Sequence, residues 1–382
     1  MSLAAPPLAL YVHFPWCVRK CPYCDFNSHV AGEAPPTAGY VAALARDLAQ
    51  QAVAVAGREV TSVFLGGGTP SLFGPDEIGA VLEQARTLLR LAADAEVTLE
   101  ANPGAIERGD FAGYRAAGVN RVSLGAQSFD DATLRRLGRI HVADETRRAA
   151  EELHGTGLDN FNLDLMYGLP GQTMAAAVAD VEAALALAPA HLSHYQLTLE
   201  PGTLFGAQPP AGLPDEEIVA AMLQECQARL AASGFGPYEV SAYATAGRRC
   251  RHNLNYWRFG DYLGIGAGAH GKLTEPAAGR IVRTARAREP RRYFAEVEAG
   301  PPQPRAVATA DRAFEFMMNA LRLREGFGMP MFESRTGLGA SAVAATLERA
   351  REQGLLECQA GLWRTTSLGE RFLNDLLQRF LP

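Results

Sequence analysis

Three cysteines near the start of the chain have a spacing that could do chemistry. Cys17, Cys21 and Cys24 form a CxxxCxxC run. On one loop, this spacing can turn three thiolates toward a common point, as an iron–sulfur cluster requires. A four-iron cluster normally takes four cysteines, so three would leave one iron open to a ligand from outside the protein. An open metal position is where substrate chemistry takes place, as it is at catalytic zinc.

Zinc is the main alternative for these cysteines, with His13 or His29 as a fourth ligand. Clusters of cysteine and histidine in intracellular chains are often structural zinc sites. A disulfide is disfavoured, because three crowded cysteines leave an odd thiol and a reducing compartment keeps thiols unpaired. The spacing alone leaves the iron–sulfur and zinc interpretations open.

Strand-like and helix-like segments alternate along residues 8–245. The predicted strands are Leu8–Phe14, Val60–Leu65, Val97–Ala101, Arg121–Ala126, Phe161–Met166 and His191–Leu199, with an irregular one at Tyr238–Ala242. Helical periodicity follows each of the first six. This repetition predicts parallel βαβ units with right-handed crossovers. The fold class is therefore α/β, and six units fit an open, partial (β/α)6 TIM-like barrel; a doubly wound sheet is the alternative.

Polar side chains fall near the carboxyl ends of three predicted strands, where the chemistry of a parallel barrel is located. Glu100 ends the third strand, Gln127 follows the fourth and Asp164 lies in the fifth. Such groups on apolar strands are costly unless they are paired or solvated. Together they indicate a site for a polar ligand, although each alone could cap a neighbouring loop.

A glycine run, Gly66-Gly67-Gly68-Thr69-Pro70, follows the second predicted strand. Its spacing fits neither a phosphate loop nor a dinucleotide fingerprint, and a lone glycine-rich turn is weak evidence for a cofactor. Glycine does, however, let a ligand approach the backbone with no side chain between them.

The cluster loop, Tyr11-Val-His-Phe-Pro-Trp-Cys-x3-Cys-Pro-Tyr-Cys24, resembles that of radical S-adenosylmethionine (radical SAM) enzymes. More narrowly, the chain resembles the oxygen-independent coproporphyrinogen III oxidase branch, which includes heme chaperones, over roughly residues 8–380. The resemblance implies the superfamily's partial barrel and a 4Fe–4S cluster on Cys17, Cys21 and Cys24. In that superfamily S-adenosylmethionine chelates the fourth iron, and an electron from the cluster cleaves its sulfonium to release a 5′-deoxyadenosyl radical.

The same resemblance assigns cofactor contacts residue by residue. Tyr11, Gly67 and Glu100 match contacts to the cluster-bound S-adenosylmethionine. The positions that hold a second S-adenosylmethionine in the oxidase are matched by Tyr23, Gly68, Thr69, Gln127, Arg139 and Asp164.

Three features favour the chaperones of this branch over the oxidase. The oxidase has a further cysteine where this chain has Phe26, and an extension of tens of residues before the cluster where this chain has 16 residues. Residues 252–257, His-Asn-Leu-Asn-Tyr-Trp, are similar to the HNxxYW signature of the chaperones. Neutral imidazole is a common heme ligand, and Tyr256 and Trp257 offer flat apolar faces. His252 is thus the predicted heme ligand; the alternative is that it hydrogen-bonds at a loop while the aromatic residues fill the core.

The resemblance therefore predicts heme binding and transfer of heme to an acceptor apoprotein, a membrane respiratory enzyme. The alternative function is coproporphyrinogen III oxidation by radical abstraction from the propionate side chains. Downstream, Arg280–Arg292 places six arginines against one glutamate. This stretch is predicted to be solvated surface, and its sharper interpretation is docking of heme propionates or of an anionic membrane face.

Three parts are predicted along the chain: a barrel core at 1–245, a connecting segment with the HNxxYW motif at 246–304, and a C-terminal domain at 305–382. In the last part, helical spacing at Ala308–Arg322 and Ala340–Gln353 precedes a hairpin at Leu355–Cys358 and Leu362–Thr365, then a helix at Leu368–Phe380. This order resembles a winged helix in a mainly helical domain. Nucleic-acid binding is not expected, because the domain has no basic stripe.

The composition indicates the general class of protein and its location. The chain has 382 residues, a net charge of −6 and 48% hydrophobic residues, as expected for a globular protein with a large core. No apolar stretch reaches membrane-spanning length, and no secretory signal is recognised. The predicted location is the cytoplasm.

Overall fold

The computed structural model describes residues 2–32, 35–104 and 109–382. The strands are β1 Leu8–Phe14, β2 Trp16–Cys17, β3 His29–Val30, β4 Glu59–Gly67, β5 Arg90–Ala101, β6 Arg121–Gln127, β7 Phe161–Tyr167, β8 His191–Gln196, β9 Gly236–Pro237, β10 Ala242–Ala244, β11 Asp261–Ile265, β12 His270–Glu275, β13 Arg280–Ala285, β14 Arg305–Ala306, β15 Phe327–Gly328, β16 Leu356–Gln359 and β17 Leu362–Thr365. The helices are α1 Thr37–Ala52, α2 Pro75–Leu88, α3 Phe111–Ala117, α4 Asp131–Arg136, α5 Ala143–Gly155, α6 Met174–Ala186, α7 Leu204–Ala207, α8 Glu216–Ala232, α9 Arg251–Trp257, α10 Pro290–Ala299, α11 Arg312–Ala320, α12 Met329–Thr336, α13 Ala344–Glu352, α14 Ser367–Arg371 and α15 Leu373–Gln378.

One large mixed sheet organises the chain. Its strand order is β14-β13-β12-β11-β1-β4-β5-β6-β7-β8-β10-β9. Strands β1, β4, β5, β6, β7 and β8 are neighbours in that order and pair in parallel throughout. These are the six predicted strands, so the α/β fold with a partial (β/α)6 barrel is confirmed. The predicted irregular strand at Tyr238–Ala242 is wrong in position, since β10 begins only at Ala242.

The two faces of the parallel strands differ sharply in chemistry. The face covered by helices is apolar and belongs to one buried cluster that includes Leu10, Val63, Leu99, Leu124 and Leu163. The opposite face has polar side chains at alternate positions, because successive strand residues point to opposite sides: Glu96, Thr98 and Glu100 on β5, Arg121 and Ser123 on β6, Asn162 and Asp164 on β7, His191 and Ser193 on β8. The sheet therefore encloses a polar interior inside an apolar shell.

The sheet continues past β1 into residues that were predicted to be a connecting segment. Strand β11 pairs in parallel with β1, and β12, β13 and β14 follow in antiparallel order. Helix α9, which holds the HNxxYW residues, lies between β10 and β11 in the chain and packs on β1 and β4. The division at 245 and 304 stays a prediction, but the same sheet runs across both positions.

The arginines of the Arg280–Arg292 stretch fall into two groups, those that pair with acidic side chains and those that are exposed to solvent. Arg286 is buried and donates two hydrogen bonds to Asp47 Oδ1, at 3.1 Å from Nε and 2.5 Å from Nη2. Arg283 pairs with Glu315 at 2.7 Å. Only Arg291–Arg292, at the start of α10, present two adjacent arginines to solvent. The prediction of a solvated surface is therefore wrong for Arg283 and Arg286.

The C-terminal part is built on a second apolar cluster, formed by α11, α12, α13, α15 and a small sheet, and Leu3, Phe259 and Ile281 also belong to it. Strands β16 and β17 form the predicted antiparallel hairpin, and β15 pairs with β17. Helices followed by a hairpin give the winged-helix-like arrangement that the spacing predicts. The predicted helix at Leu368–Phe380 is divided into α14 and α15 at Phe372. Among the described helices, none combines the length and apolar character needed to cross a bilayer.

Candidate functional site

The cysteine loop joins β1 to α1 and folds back on itself. Trp16–Cys17 pairs in parallel with His29–Val30, and the Cys24 N–H donates to the Cys21 carbonyl at 3.2 Å. As a result the three thiols line one cavity of about 120 Å³, at the carboxyl ends of β4, β5 and β6. All three cysteines are half-buried, and none of the described cysteines forms a disulfide.

The histidines named as zinc ligands are engaged elsewhere. His13 donates from Nε2 to the Asn27 carbonyl at 2.8 Å and accepts at Nδ1 from the Tyr11 hydroxyl at 2.9 Å. His29 donates from Nε2 to the Arg288 carbonyl at 3.0 Å. Within the described ranges, no three His, Cys, Asp or Glu side chains form a group that could hold a metal ion. Because both ring nitrogens of His13 and Nε2 of His29 are engaged, the geometry disfavours either histidine as the fourth zinc ligand.

Most of the predicted cofactor-binding residues line the same cavity as the three cysteines. Its lining includes Tyr23, Gly67, Gly68, Glu100, Gln127, Arg139 and Asp164. Sequence reasoning missed Asn102, Ser123, Gly125 and Tyr195, which line it too. Thr69 is buried beside the cavity, where its hydroxyl accepts from Asn102 Nδ2 at 3.1 Å.

The glycine run forms a backbone cradle at the end of β4. Gly67 has φ +115°, a left-handed value that favours glycine, and a Cβ there would lie 2.4 Å from the His13 ring. A Cβ on Gly68 would lie 2.6 Å from the Trp16 carbonyl oxygen. The Gly67 N–H donates to Glu100 Oε2 at 2.9 Å, which fixes the carboxylate against the cradle.

Two carboxyl groups on the cavity wall have raised pKa values. Burial raises the pKa of Glu100 to about 7, against the hydrogen bond from Gly67 that lowers it. Burial also raises the pKa of Asp164, while hydrogen bonds from Asn162 and Ser123 oppose the shift. Buried carboxyl groups with raised pKa values inside a cavity are typical of functional sites.

Replacing Glu100 with glutamine is expected to remove a pH dependence of stability. Between 4.5, the ordinary pKa, and about 7, the folded chain holds a proton on Glu100 that the unfolded chain has released. The free energy of unfolding of the parent therefore falls as pH rises through this window, by at most about 1.4 kcal/mol per pH unit for this group. Urea unfolding of cofactor-free parent and Glu100→Gln across the window measures the difference. Parallel pH profiles of the two proteins would contradict the expectation.

An amide and a guanidinium are held rigidly across the cavity from the glycines. The Tyr195 hydroxyl donates to Gln127 Oε1 at 2.6 Å, and Gln127 itself has φ +67°. Arg139 donates to Asn102 Oδ1 at 2.5 Å and to the Gly125 carbonyl at 3.0 Å, and its Nη1 lies 3.6 Å from Cys21 Sγ. The guanidinium therefore contacts both the cavity wall and one of the three cysteine sulfurs.

A second, more open cavity of about 360 Å³ adjoins the first. It shares Phe26, Gly67 and Glu100 with the cysteine cavity, and Tyr11 lies in its wall. Its far side is formed by residues of α9, β11 and β12 and the loop after β13: Tyr256, Tyr262, His270 and Arg288. We call this space the aromatic cleft.

His252 lies behind the wall of the aromatic cleft. Its side chain is 1% exposed, stacked on Phe64 at 5.0 Å and edge-on to Tyr256 at 4.8 Å. Its Nδ1 is 3.1 Å from Ser62 Oγ, and its Nε2 is enclosed without a hydrogen-bond partner among the described residues. Burial lowers the pKa of His252 to about 3, so the ring is neutral. In this arrangement His252 supports Tyr256 and does not face the cleft.

Buried charges anchor the helix that holds this motif. Glu96 Oε1 accepts from the backbone N–H of Arg251 at 2.9 Å and of His252 at 3.2 Å, and from Cys250 Sγ at 3.5 Å. A carboxylate at a helix N-terminus is stabilising. The guanidinium of Arg121, 2% exposed, shares this polar interior with Glu96.

A chain of hydrogen bonds runs from this anchor to the cysteine cavity. Asn162 Nδ2 donates to Asp164 Oδ1 at 2.7 Å, and Asn162 Oδ1 accepts from His191 Nδ1 at 2.6 Å. His191 Nε2 accepts from the Tyr238 hydroxyl at 2.7 Å, and the Cys250 N–H reaches the same hydroxyl at 3.4 Å. Sequence reasoning missed these linking residues.

Family models match both parts of the chain. The Radical SAM superfamily matches residues 11–184, and the HemN C-terminal domain matches residues 307–372. Together with the mixed sheet and the three-cysteine cavity, these matches define a radical SAM protein. The solved structure of Escherichia coli HemN, a coproporphyrinogen III oxidase, has a TM-score of 0.82 over 98% of this chain and 90% of that chain. At 24% identity this likeness shows the fold alone.

Curated relatives narrow the class further. The heme chaperone HemW of Escherichia coli (strain K12) is 49% identical over 380 residues, which cover 98% of each chain. The heme chaperone HemW of Haemophilus influenzae is 45% identical, again over 98% of each chain. The chain belongs to the radical SAM superfamily and, within it, to the HemW family.

Proposed function

We propose that this protein is a heme chaperone, which binds heme and transfers it to an acceptor apoprotein. The observation that carries the proposal is the aromatic cleft, which brings Tyr256 of the HNxxYW motif beside the three-cysteine cavity. A flat, largely apolar ligand suits tyrosine faces. The name of the HemW relatives supports the same function.

The donor set of the cavity fits a 4Fe–4S cluster with S-adenosylmethionine. Cys17, Cys21 and Cys24 offer three thiols to a common space and would hold three irons. Gly67 and Glu100 would receive the methionyl amine, since the glycine backbone is open and the carboxyl is fixed. Tyr11 would contact the same molecule from the aromatic cleft.

The second set of predicted contacts stays part of the proposal. Tyr23, Gly68, Thr69, Gln127, Arg139 and Asp164 would surround a second S-adenosylmethionine if the cavity takes one. When bound, the cluster supplies the electron that cleaves the sulfonium. The chain's own contribution is to orient the ligands: Tyr195 holds the Gln127 amide, and Asn102 holds the Arg139 guanidinium.

The acceptor proposed from the resemblance is a membrane respiratory enzyme. Exposed Arg291–Arg292 offer a small cationic surface for a peripheral contact with that enzyme or with its membrane. A cytoplasmic location, also part of the proposal, suits cysteines that form no disulfide in the described chain.

Ferric heme titrated into the anaerobically reconstituted full chain tests the function. We expect saturable binding with a stoichiometry near one heme per chain, followed by movement of heme to an apo-hemoprotein that is added afterwards. The Soret band reports both steps. The chaperone proposal would be overturned if heme binding did not saturate and a heme-binding competitor such as albumin removed all of the heme.

Coproporphyrinogen III oxidation is the second candidate, because five of the six residues matching the oxidase's second cofactor site line one cavity, and the sixth, Thr69, lies beside it. Phe26, at the position of the oxidase's extra cysteine, is 59% exposed and lines both cavities with an apolar ring. Anaerobic incubation with reductant, S-adenosylmethionine and coproporphyrinogen III separates the two functions. Protoporphyrinogen formed at many turnovers per chain would favour the oxidase.

A further inference from the structure

The aromatic cleft contains a histidine that nothing in the motif analysis singled out. Two histidines line this space, His13 and His270. Both ring nitrogens of His13 are engaged, by the Tyr11 hydroxyl and by the Asn27 carbonyl. No hydrogen bond within the described part of the chain occupies the imidazole of His270.

The backbone of His270 is fixed while its side chain is exposed. It is the first residue of β12 and pairs with Ala285 of β13. Its carbonyl packs so tightly against β11 that a Cβ on Gly264 would lie 1.8 Å from it. Partial burial and the charges of Arg283 and Arg288 lower the pKa of His270. The imidazole is therefore neutral at neutral pH, with a nitrogen lone pair available to a metal.

The walls beside His270 suit a flat ligand. The rings of Tyr256 and Tyr262 meet edge to face at 4.5 Å. The Tyr262 hydroxyl accepts from Arg283 Nη1 at 2.8 Å, and Arg283 is held in turn by Glu315 at 2.7 Å. These contacts fix the aromatic wall before any ligand arrives, which lowers the ordering cost of binding.

The aromatic cleft also contains a positively charged side chain. Arg288 lines the cleft, and its carbonyl accepts from Asn27 Nδ2 at 2.9 Å and from His29 Nε2 at 3.0 Å. Because two side chains hold its backbone, the guanidinium is presented from a fixed loop. Guanidinium groups pair well with carboxylates, and heme carries two of them on its propionates.

We infer that the far side of the aromatic cleft, formed by Tyr256, Tyr262, His270 and Arg288, is the heme site. In this conformation His270 is the iron ligand and Arg288 faces a propionate. This inference rests on the proposed function and specifies its binding residues. The His270 nitrogen donates its lone pair to the iron, a water ligand leaves, and the iron keeps its oxidation state. His252 stands behind Phe64 and Tyr256, so it would reach iron only after α9 moved away from β4.

The test is a titration of ferric heme into the full chain and into single variants. We expect His270→Ala to weaken binding at least about tenfold, because losing even an outer-shell partner of a metal ligand typically costs that much affinity. The Soret and visible bands should change as well. Added imidazole should restore the parent spectrum, which a merely structural role would not allow. His270→Gln serves as the second variant should the alanine protein fail to fold.

Matched controls separate this inference from the proposed function. His154→Ala removes an exposed histidine on α5 that pairs with Asp159, and it should bind heme like the parent. Parent-like affinity and spectrum in His270→Ala, or loss of the ligand signature in His252→Ala alone, would overturn the His270 assignment and leave the chaperone function standing. Failure of the parent itself to bind heme would overturn the proposed function.

Discussion

Replacing Cys21 with serine is expected to abolish assembly of the iron–sulfur cluster. Three thiols already leave one of four irons without a protein ligand, and the variant would leave a second one bare. Cys21 Sγ also lies 3.6 Å from Arg139 Nη1, so the substitution removes the thiol that contacts this guanidinium. After anaerobic reconstitution with iron and sulfide, we expect only background iron and sulfide, and no cluster signal in electron paramagnetic resonance after reduction.

Cys358→Ser is the matched control, because Cys358 is exposed on β16 of the C-terminal part, remote from the cavity. It should keep the parent's iron content. A full cluster in Cys21→Ser would show that the cavity thiols do not form the ligand set. Zinc, without iron, in both the parent and Cys358→Ser would restore the zinc interpretation despite the engaged His13 and His29.

The parallel strands could be predicted from the sequence because their apolar faces obey a simple pattern. Strand β1 occurs at Leu8–Phe14 with the predicted bounds, and β6 and β7 extend by one residue each. A buried strand next to a helix has strong local signals, namely β-branched or leucine residues closed by glycine or proline. Antiparallel β13 contains Ile281, Val282 and Thr284, but its arginines make the stretch read as a charge run when its partners are unknown.

The interior of the sheet was harder to predict, although a signal was present. Glu96, Thr98 and Glu100 alternate with apolar residues along β5, and Arg121 and Ser123 do so along β6. A parallel strand normally reads as continuously apolar, so a period of two in a parallel sheet indicates a polar interior. Of these β5 residues, only Glu100 is predicted as a site residue from the sequence, because that prediction considers the carboxyl ends of strands. Glu96 and Thr98 lie deeper in the sheet.

The candidate site could be predicted where a sequence motif also lies at the end of a strand. It could not be predicted where side-chain packing determines whether a residue is exposed to the cavity. The cysteines, glycines and cavity carboxyl groups come together as the resemblance implies. His252 shows the limit of a motif: the letters HNxxYW give no burial, and the ring proves to be enclosed. His270 belongs to no motif, and only the pairing of β11 with β12 brings it into the same cleft as Tyr256.

A chain of hydrogen bonds links the walls of the two cavities. Asp164 faces the cysteine cavity, and hydrogen bonds through Asn162 and His191 lead from it to Tyr238. Tyr238 meets the backbone of Cys250 immediately before α9. The wall of the aromatic cleft is thus supported on residues that line the cysteine cavity. Polar networks of this kind hold one arrangement firmly when every member is satisfied.

Replacing Asp47 with alanine is expected to destabilise the barrel strongly. Asp47 is 0% exposed and lies on α1, where its two oxygens accept from Arg286, Gln51, Tyr293 and the backbone of Gly266. The variant would leave a buried guanidinium without its charge partner, and breaking such a pair costs about 3–5 kcal/mol. Urea unfolding should show the free energy of unfolding of Asp47→Ala reduced by that amount.

Helix α1 offers a control pair beside this one. Arg46 forms an ion pair with Glu298 of α10, and their side chains are 48% and 68% exposed. Glu298→Ala should change the free energy of unfolding by less than about 1 kcal/mol, since exposed ion pairs contribute little. Both variants remove a carboxylate from the same region, and the two carboxylates differ in whether they are buried or exposed. Equal losses in Asp47→Ala and Glu298→Ala would mean that the buried pair does not fasten α1 to the far edge of the sheet.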